Sequence, residues 1–159
     1  MVWAGPAIDE KDEGWRRDAN LSGVVARVSA RSTELAQAEK DIQAFAAGLP
    51  ADDRRQKLTS LFAGVLATIN AERDEVIRGI ARYARRQQRL AARVEQATAE
   101  LERLPQGESP RRKELRRQVD WDTRIFEERE RSLIFVCESP VLLEQRAFAL
   151  ARTIMNQLE

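Results

Sequence analysis

The chain has 159 residues, of which 33% are charged, so it is long enough for one domain and can bury only a modest core. Its 27 basic and 26 acidic residues give a net charge of +1, which excludes a globally basic nucleic-acid-binding protein. With no histidine and one cysteine it has no internal disulfide, no histidine base and no zinc site of the Cys/His type. We therefore expect a protein that is not an enzyme, with no catalytic residue, metal site or cofactor.

The first 17 residues differ in pattern from the rest of the chain. They carry glycines, a proline and several acids but no helical period, so we expect an extended or disordered lead before a single helical domain over residues 18–159. Val2 and Ala4 have the spacing of the small residues at the cleavage site of a secretory signal peptide, but no apolar segment precedes them. Two localisations therefore stay open, cytoplasmic and exported to a periplasm-like compartment.

The composition beyond the lead is typical of helices, because alanine, leucine, glutamate, glutamine and arginine dominate it. A first helix is predicted over residues 20–47, ending before Gly48 and Pro50, with an apolar residue at every seventh position. These positions are Leu21, Val28, Leu35, Ile42 and Leu49. A charge at Leu35 or Ile69 is expected to unfold the protein.

A second, very long helix is predicted from Asp52 or Asp53 onward, because no helix breaker follows until Pro105. Gly64 and Gly79 lie inside it, and glycine is unfavourable there, so we expect close helix contacts at both. The longest uncharged stretch, residues 58–71, is too short to span a membrane, so no membrane span is expected.

Two further helices are predicted after the turn at residues 104–110. Ser109 and Pro110 form a start signal, and the repeat of this signal at Ser139 and Pro140 predicts a separate last helix. The apolar run at residues 133–137 leaves a short strand open as an alternative to helix. Cys137, inside this run, is expected to be a small buried hydrophobic residue.

These lengths predict an all-α fold, an elongated antiparallel helical bundle. Its base would combine residues 18–79 and 133–159 as a three-helix bundle, and residues 80–132 would project from it as a two-helix coiled-coil hairpin arm. The arm has only a narrow apolar stripe between many charges, which is marginal for an isolated pair of helices. The arm is therefore expected to dimerise, to bind a partner or to depend on the stability of the base.

Residues 78–93 of the predicted arm contain six arginines and no acid. Most of them share one helix face, which is typical of a surface that binds an anion or an acidic partner. An alternative is ion pairing across the hairpin with Asp122, Glu127, Glu128 and Glu130. The candidate partner-binding residues are these arginines together with the turn at the tip of the arm: Arg78, Arg82, Arg85, Arg86, Arg89, Arg93, Pro105, Gln106, Gly107, Arg111 and Arg112.

Three functions are compatible with these features. The first is a non-catalytic interaction or scaffold protein of the adaptor type, which recognises a protein partner through its arm. The second is a nucleic-acid-binding protein that uses the same arginines, with Tyr83 and Trp121 as the candidates for stacking on bases. The third is a holdase-like chaperone, in which a homodimer grips its clients between two arms.

Overall fold

The computed structural model describes residues 3–8 and 13–158, without the side chains of residues 134 and 135. Its regular elements are a 3-10 turn, Gly14–Arg16, and four α-helices: α1 (Ala19–Ser29), α2 (Leu35–Ala47), α3 (Ala51–Arg103) and α4 (Pro110–Met155). No strand occurs in this described part of the chain, so the prediction of an all-α helical bundle is confirmed. Some residues of the predicted lead lie outside the described part of the chain. These are Val2, one of the two residues of the possible signal cleavage site, and the acids Asp9, Glu10 and Asp12.

The predicted first helix is in fact two helices, and this prediction was wrong. The chain leaves the helical conformation at Ala30 (φ −60°, ψ 130°) and re-enters it after Glu34 (φ −58°, ψ 145°). Arg31, Ser32 and Thr33 lie between them, and serine and threonine favour turns because their hydroxyls compete for backbone hydrogen bonds. The break leaves Leu35 39% exposed, although it belongs to the predicted apolar stripe.

The long second helix is confirmed as α3, which has 53 residues and ends two residues before Pro105. The predicted boundary at Pro140 was wrong, because Pro140 lies inside α4, a helix of 46 residues. A proline there removes one backbone hydrogen bond, to the carbonyl of Val136. Val136 is 44% exposed, so water can satisfy that carbonyl and the helix tolerates the loss.

The run at residues 133–137 is helical, so the strand alternative is excluded for it. Cys137 is exposed, and the prediction of a buried cysteine was therefore wrong. The apolar composition of the run suggested burial on all sides, yet in the structure both Val136 and Cys137 lie on the exposed side of α4.

The chain divides into two compact units, and both long helices contribute to each. Unit 1 comprises residues 1–74 and 140–159, and unit 2 comprises residues 75–139. The core of unit 1 is formed by side chains from all four α-helices. Its largest fully buried members are Leu21, Val25, Val28, Ile42, Leu58, Leu61, Val65, Ile69, Leu143, Leu150 and Ile154.

Two tryptophans from the start of the chain pack onto unit 1. Trp3 stacks on Phe62, with ring centroids 4.1 Å apart and an interplanar angle of 16°. Trp15 packs against Gly64, where an added Cβ would lie only 2.9 Å from the indole and 2.7 Å from Val25. The close contact predicted at Gly64 is confirmed, whereas at Gly79 an added Cβ would meet nothing nearer than the Arg82 guanidinium at 3.9 Å.

Arg146 of α4 holds the end of α1 in place. Its Nε and Nη2 donate hydrogen bonds of 3.1 and 2.7 Å to the carbonyl of Val28, one of the acceptors that the end of α1 leaves free. Burial lowers the pKa of Arg146 below its ordinary value, and the nearby Glu72 acts in the opposite direction. The guanidinium thus replaces the backbone donors that the break between α1 and α2 removes.

Unit 2 consists of the second half of α3 and the first part of α4, which run antiparallel. Hydrogen bonds between three pairs of residues fix the register of the helices: Tyr83 Oη donates to the carbonyl of Arg129, Gln87 Nε2 to that of Phe126, and Arg93 to the carboxylate of Asp122. Among the side chains of unit 2 that the structure describes, few are buried. They are Gln87, Leu90, Ala97, Leu115 and Asp122.

Candidate partner-binding surface

The arginine run lies on the surface of unit 2, along α3. The six arginine side chains at residues 78–93 are all exposed, and α3 continues unbroken through this stretch. Five of the six, all except Arg93, have no hydrogen bond or ion pair with any residue in the described part of the chain. These five are Arg78, Arg82, Arg85, Arg86 and Arg89.

Arg93 differs from the other five because it pairs across the seam. Its Nε and Nη2 bind the two carboxylate oxygens of Asp122 at 2.6 and 2.5 Å, and the hydrogen bonds raise the pKa of Arg93 above its ordinary value. Asp122 is only 2% exposed, so this carboxylate needs a cationic partner to be buried. Arg93 therefore forms an ion pair across the two helices, which is the alternative that the sequence left open.

The remaining acids that were candidates for such pairing do not reach the run. Glu128 pairs with Arg124 on its own helix, at 3.2 Å. Neither Glu127 nor Glu130 forms an ion pair with a residue that the structure describes. The positive charge of the other five arginines is consequently not neutralised within unit 2.

A groove runs between the two helices on the side of these arginines. It is lined by Arg86, Arg89, Leu90, Arg93 and Arg129. Leu90 is 6% exposed and forms the apolar floor, while the guanidinium groups stand on both sides of it. We call this set of five residues the arginine groove. It is open to solvent and combines an apolar floor with cationic walls.

The structure does not bring the predicted turn residues into this groove. Pro105, Gln106 and Gly107 are exposed at the end of α3, about 12 residues beyond Arg93 and so on the order of 18 Å along the axis. Gly107 has a φ of 125°, which only glycine adopts without strain. The turn and the arginine groove are therefore two separate surfaces of unit 2.

Two arginines after the turn have structural roles. Arg111 binds the carboxylate of Glu100 at 2.6 Å. Arg112 donates from Nη1 to the carbonyls of Leu101 and Leu104, at 3.0 and 3.2 Å, and so satisfies acceptors at the end of α3. Both side chains hold the two helices together at the turn.

Arg129 is the groove residue that the sequence did not identify. It stands among acids in α4, and its position in the groove depends on the register between two helices, which a sequence pattern does not contain. Trp121 is 65% exposed, the most exposed large hydrophobic residue of the described chain. Tyr83, by contrast, is half-buried with its hydroxyl bound to a carbonyl, so it is not free to stack on a base.

The described residues contain no group of three or more acids or cysteines that could hold a metal ion. None of the helices in the described ranges is long and apolar enough to cross a membrane. Comparison of the chain with protein-family models, with curated proteins and with solved structures finds no match in any of the three.

Proposed function

We propose that the chain is a non-catalytic interaction protein of the adaptor or scaffold type, which recognises a protein partner through the arginine face of unit 2. The arginine face comprises Arg78, Arg82, Arg85, Arg86 and Arg89 together with the arginine groove. The observation that carries the proposal is the concentration of unneutralised positive charge on one helix face of a chain whose net charge is only +1.

The energetics of unit 2 support this proposal. Arginines three or four residues apart on one helix face repel each other, so the run destabilises the isolated helix. The carboxylates of an acidic partner would turn this repulsion into attraction and would also raise the association rate. The preference for arginine itself carries no weight, because the whole chain has 23 arginines and 4 lysines.

The test is capture of the partner from cells of the source organism with three forms of the chain. The first is wild type, the second carries Arg82→Gln, Arg86→Gln and Arg89→Gln, and the third is a control with the same loss of charge elsewhere in unit 2. The control carries Arg116→Gln, Arg117→Gln and Arg124→Gln, in residues that are exposed and outside the groove. A protein captured by wild type is then purified, and its Kd for each form is measured.

We expect the face variant to lose at least about tenfold in affinity while the control stays within about twofold of wild type, because only the former loses three cations of the arginine face. Equal affinities for all three forms would contradict the proposal, because the arginine face would then contribute nothing to recognition.

Nucleic-acid binding is a second candidate, and the exposure of Trp121 favours it. An exposed indole beside cationic side chains can stack on a base while arginines bind the phosphates. A fluorescent single-stranded oligonucleotide would then bind with an affinity that falls steeply with salt. Anisotropy titrations at about 50 and 500 mM salt test this, and no binding at the lower salt would exclude it.

A holdase-like chaperone is a third candidate, supported by three exposed apolar side chains of α4. Val141, Leu142 and Phe148 are 53%, 55% and 48% exposed, and exposed apolar surface is what binds unfolded clients. This function predicts that the chain suppresses the aggregation of a heated model client. Replacing the three residues with Ser should abolish the suppression, and no suppression by wild type would exclude the function.

A further inference from the structure

Four arginines on the groove side of α3 have the spacing of side chains that share one face of a helix. Arg82, Arg86, Arg89 and Arg93 follow each other at steps of four, three and four, and at 100° per residue they fall within about 60° of one another. Side chains at such steps form one straight row on a helix. We call these four residues the arginine row.

An exposed aromatic residue of α4 lies near one end of this row. Trp121, Ile125 and Arg129 follow each other at steps of four along α4, and Arg129 lines the groove. The hydrogen bonds from Tyr83 to Arg129 and from Arg93 to Asp122 fix the antiparallel register. Trp121, next to Asp122 in sequence, therefore lies near the Arg93 end of the row.

We infer that the arginine groove receives an amphipathic acidic helix from a protein partner, which packs along the seam of unit 2 as a third helix. The inference rests on the proposed function and names the chemistry of its partner. Carboxylates at steps of four and three would face Arg82, Arg86 and Arg89, the members of the row that have no carboxylate partner in the described chain, as charged residues beside the apolar seam of a coiled coil face those of the neighbouring helix. Apolar residues between them would cover Leu90, Ile125 and Trp121.

Two features favour a helix over an extended polyanion. Ile125, four residues before Arg129 on α4, is half-buried, so it keeps apolar surface that a helix could cover and that a phosphate backbone would gain nothing from covering. Trp121 adds a large exposed ring next to these cations, and tryptophan and arginine are the residues that contribute most often to binding energy in protein interfaces.

The test uses two synthetic helical peptides of identical composition and the full chain. In the striped peptide, glutamates at steps of four, three and four lie beside leucines; in the permuted peptide the same residues are spread around the helix. Binding is measured by the tryptophan emission of the chain, and Trp121→Phe identifies the contribution of this ring. We expect the striped peptide to bind at least about tenfold more tightly and to shift the emission of Trp121 to the blue.

The variant Arg86→Gln with Arg89→Gln should lose this preference. Arg116→Gln with Arg131→Gln removes the same charge at exposed positions that lie outside the groove and off the stripe of Trp121, and it should keep the preference. Equal binding of both peptides, or an emission of Trp121 that does not change, would overturn the inferred third helix. That result leaves the proposed function standing if a captured partner still depends on the arginine face. Tighter binding of a single-stranded oligonucleotide than of the striped peptide would overturn both.

Discussion

A single methyl group added at Gly64 should destabilise unit 1, although the same change stabilises most helices. Gly64 is buried inside α3, and an added Cβ would stand 2.7 Å from Val25 Cγ2 and 2.9 Å from the indole of Trp15. Carbon atoms do not approach so closely without displacement. Val25 is only 1% exposed and β-branched, so it cannot yield by a simple rotation.

The magnitude follows from two opposing effects. Inserting a methyl group into a close-packed site costs about 1 to 3 kcal/mol, and replacing glycine by alanine in a helix returns about 1 kcal/mol. Because both contacts are too short and Val25 is tightly packed, we expect Gly64→Ala to lower the free energy of unfolding by about 1 to 2 kcal/mol. For a chain of this size that lowers Tm by about 3 to 6 °C.

Two other glycines serve as controls. At Gly23 an added Cβ would lie 3.7 Å from the Arg27 guanidinium, and at Gly79 it would lie 3.9 Å from that of Arg82, both ordinary contacts. Each alanine variant should therefore gain up to about 1 kcal/mol from helix propensity alone. The assay is thermal and urea unfolding followed by far-ultraviolet circular dichroism. A Gly64→Ala protein as stable as wild type or more stable would refute the packing that we describe around Trp15.

The remaining predictions concern charges. Ile69→Asp should unfold unit 1, because Ile69 is 1% exposed. Leu35→Asp, in contrast to the expectation from the sequence, should shift Tm little, because Leu35 is 39% exposed. Urea unfolding of the two variants distinguishes these results. Neutralising the unpaired arginines Arg82, Arg85 and Arg89 with glutamine should leave Tm almost unchanged; a large drop in calorimetry would reveal ion pairs. A hydrogen bond from Lys57 lowers the pKa of Asp18, the N-cap of α1, so its carboxylate stabilises the fold above the unfolded pKa of about 4. That stability is lost as pH falls through the pKa of Asp18 in the folded protein. The difference in Tm between wild type and Asp18→Asn should therefore narrow from about pH 6 to about pH 3. A difference in Tm that stays constant over this range would contradict the stabilising role of the Asp18 carboxylate.

The helices could be predicted from the sequence where local signals decide them. The absence of breakers defines α3, and Ser109 with Pro110 defines the start of α4, where the Ser109 hydroxyl accepts a hydrogen bond from the backbone of Arg112. The break at residues 30–34 was not predicted because a tertiary contact supports it, and the continuity through Pro140 was not predicted because it depends on the exposure of Val136 to water. The carbonyl of Val28 is satisfied by Arg146, which is 118 residues away in sequence.

The arginine face was also visible in the sequence, since six arginines without an acid between them is a local pattern. The sequence did not show which of these arginines have no acidic partner, because ion pairing depends on the register between α3 and α4. That register gives Arg93 to the buried Asp122 and leaves Arg86 and Arg89 facing the groove with Arg129.

Photo-crosslinking in living cells tests the arginine face most directly. A photoreactive amino acid at position 89, in the groove, is compared with one at position 117, which is exposed outside it. The account predicts one major adduct from position 89, with a protein rich in acidic residues, that disappears when Arg82 and Arg86 are replaced by glutamine. The same adducts from both positions, or an adduct from position 89 that persists in that variant, would contradict recognition through the arginine face.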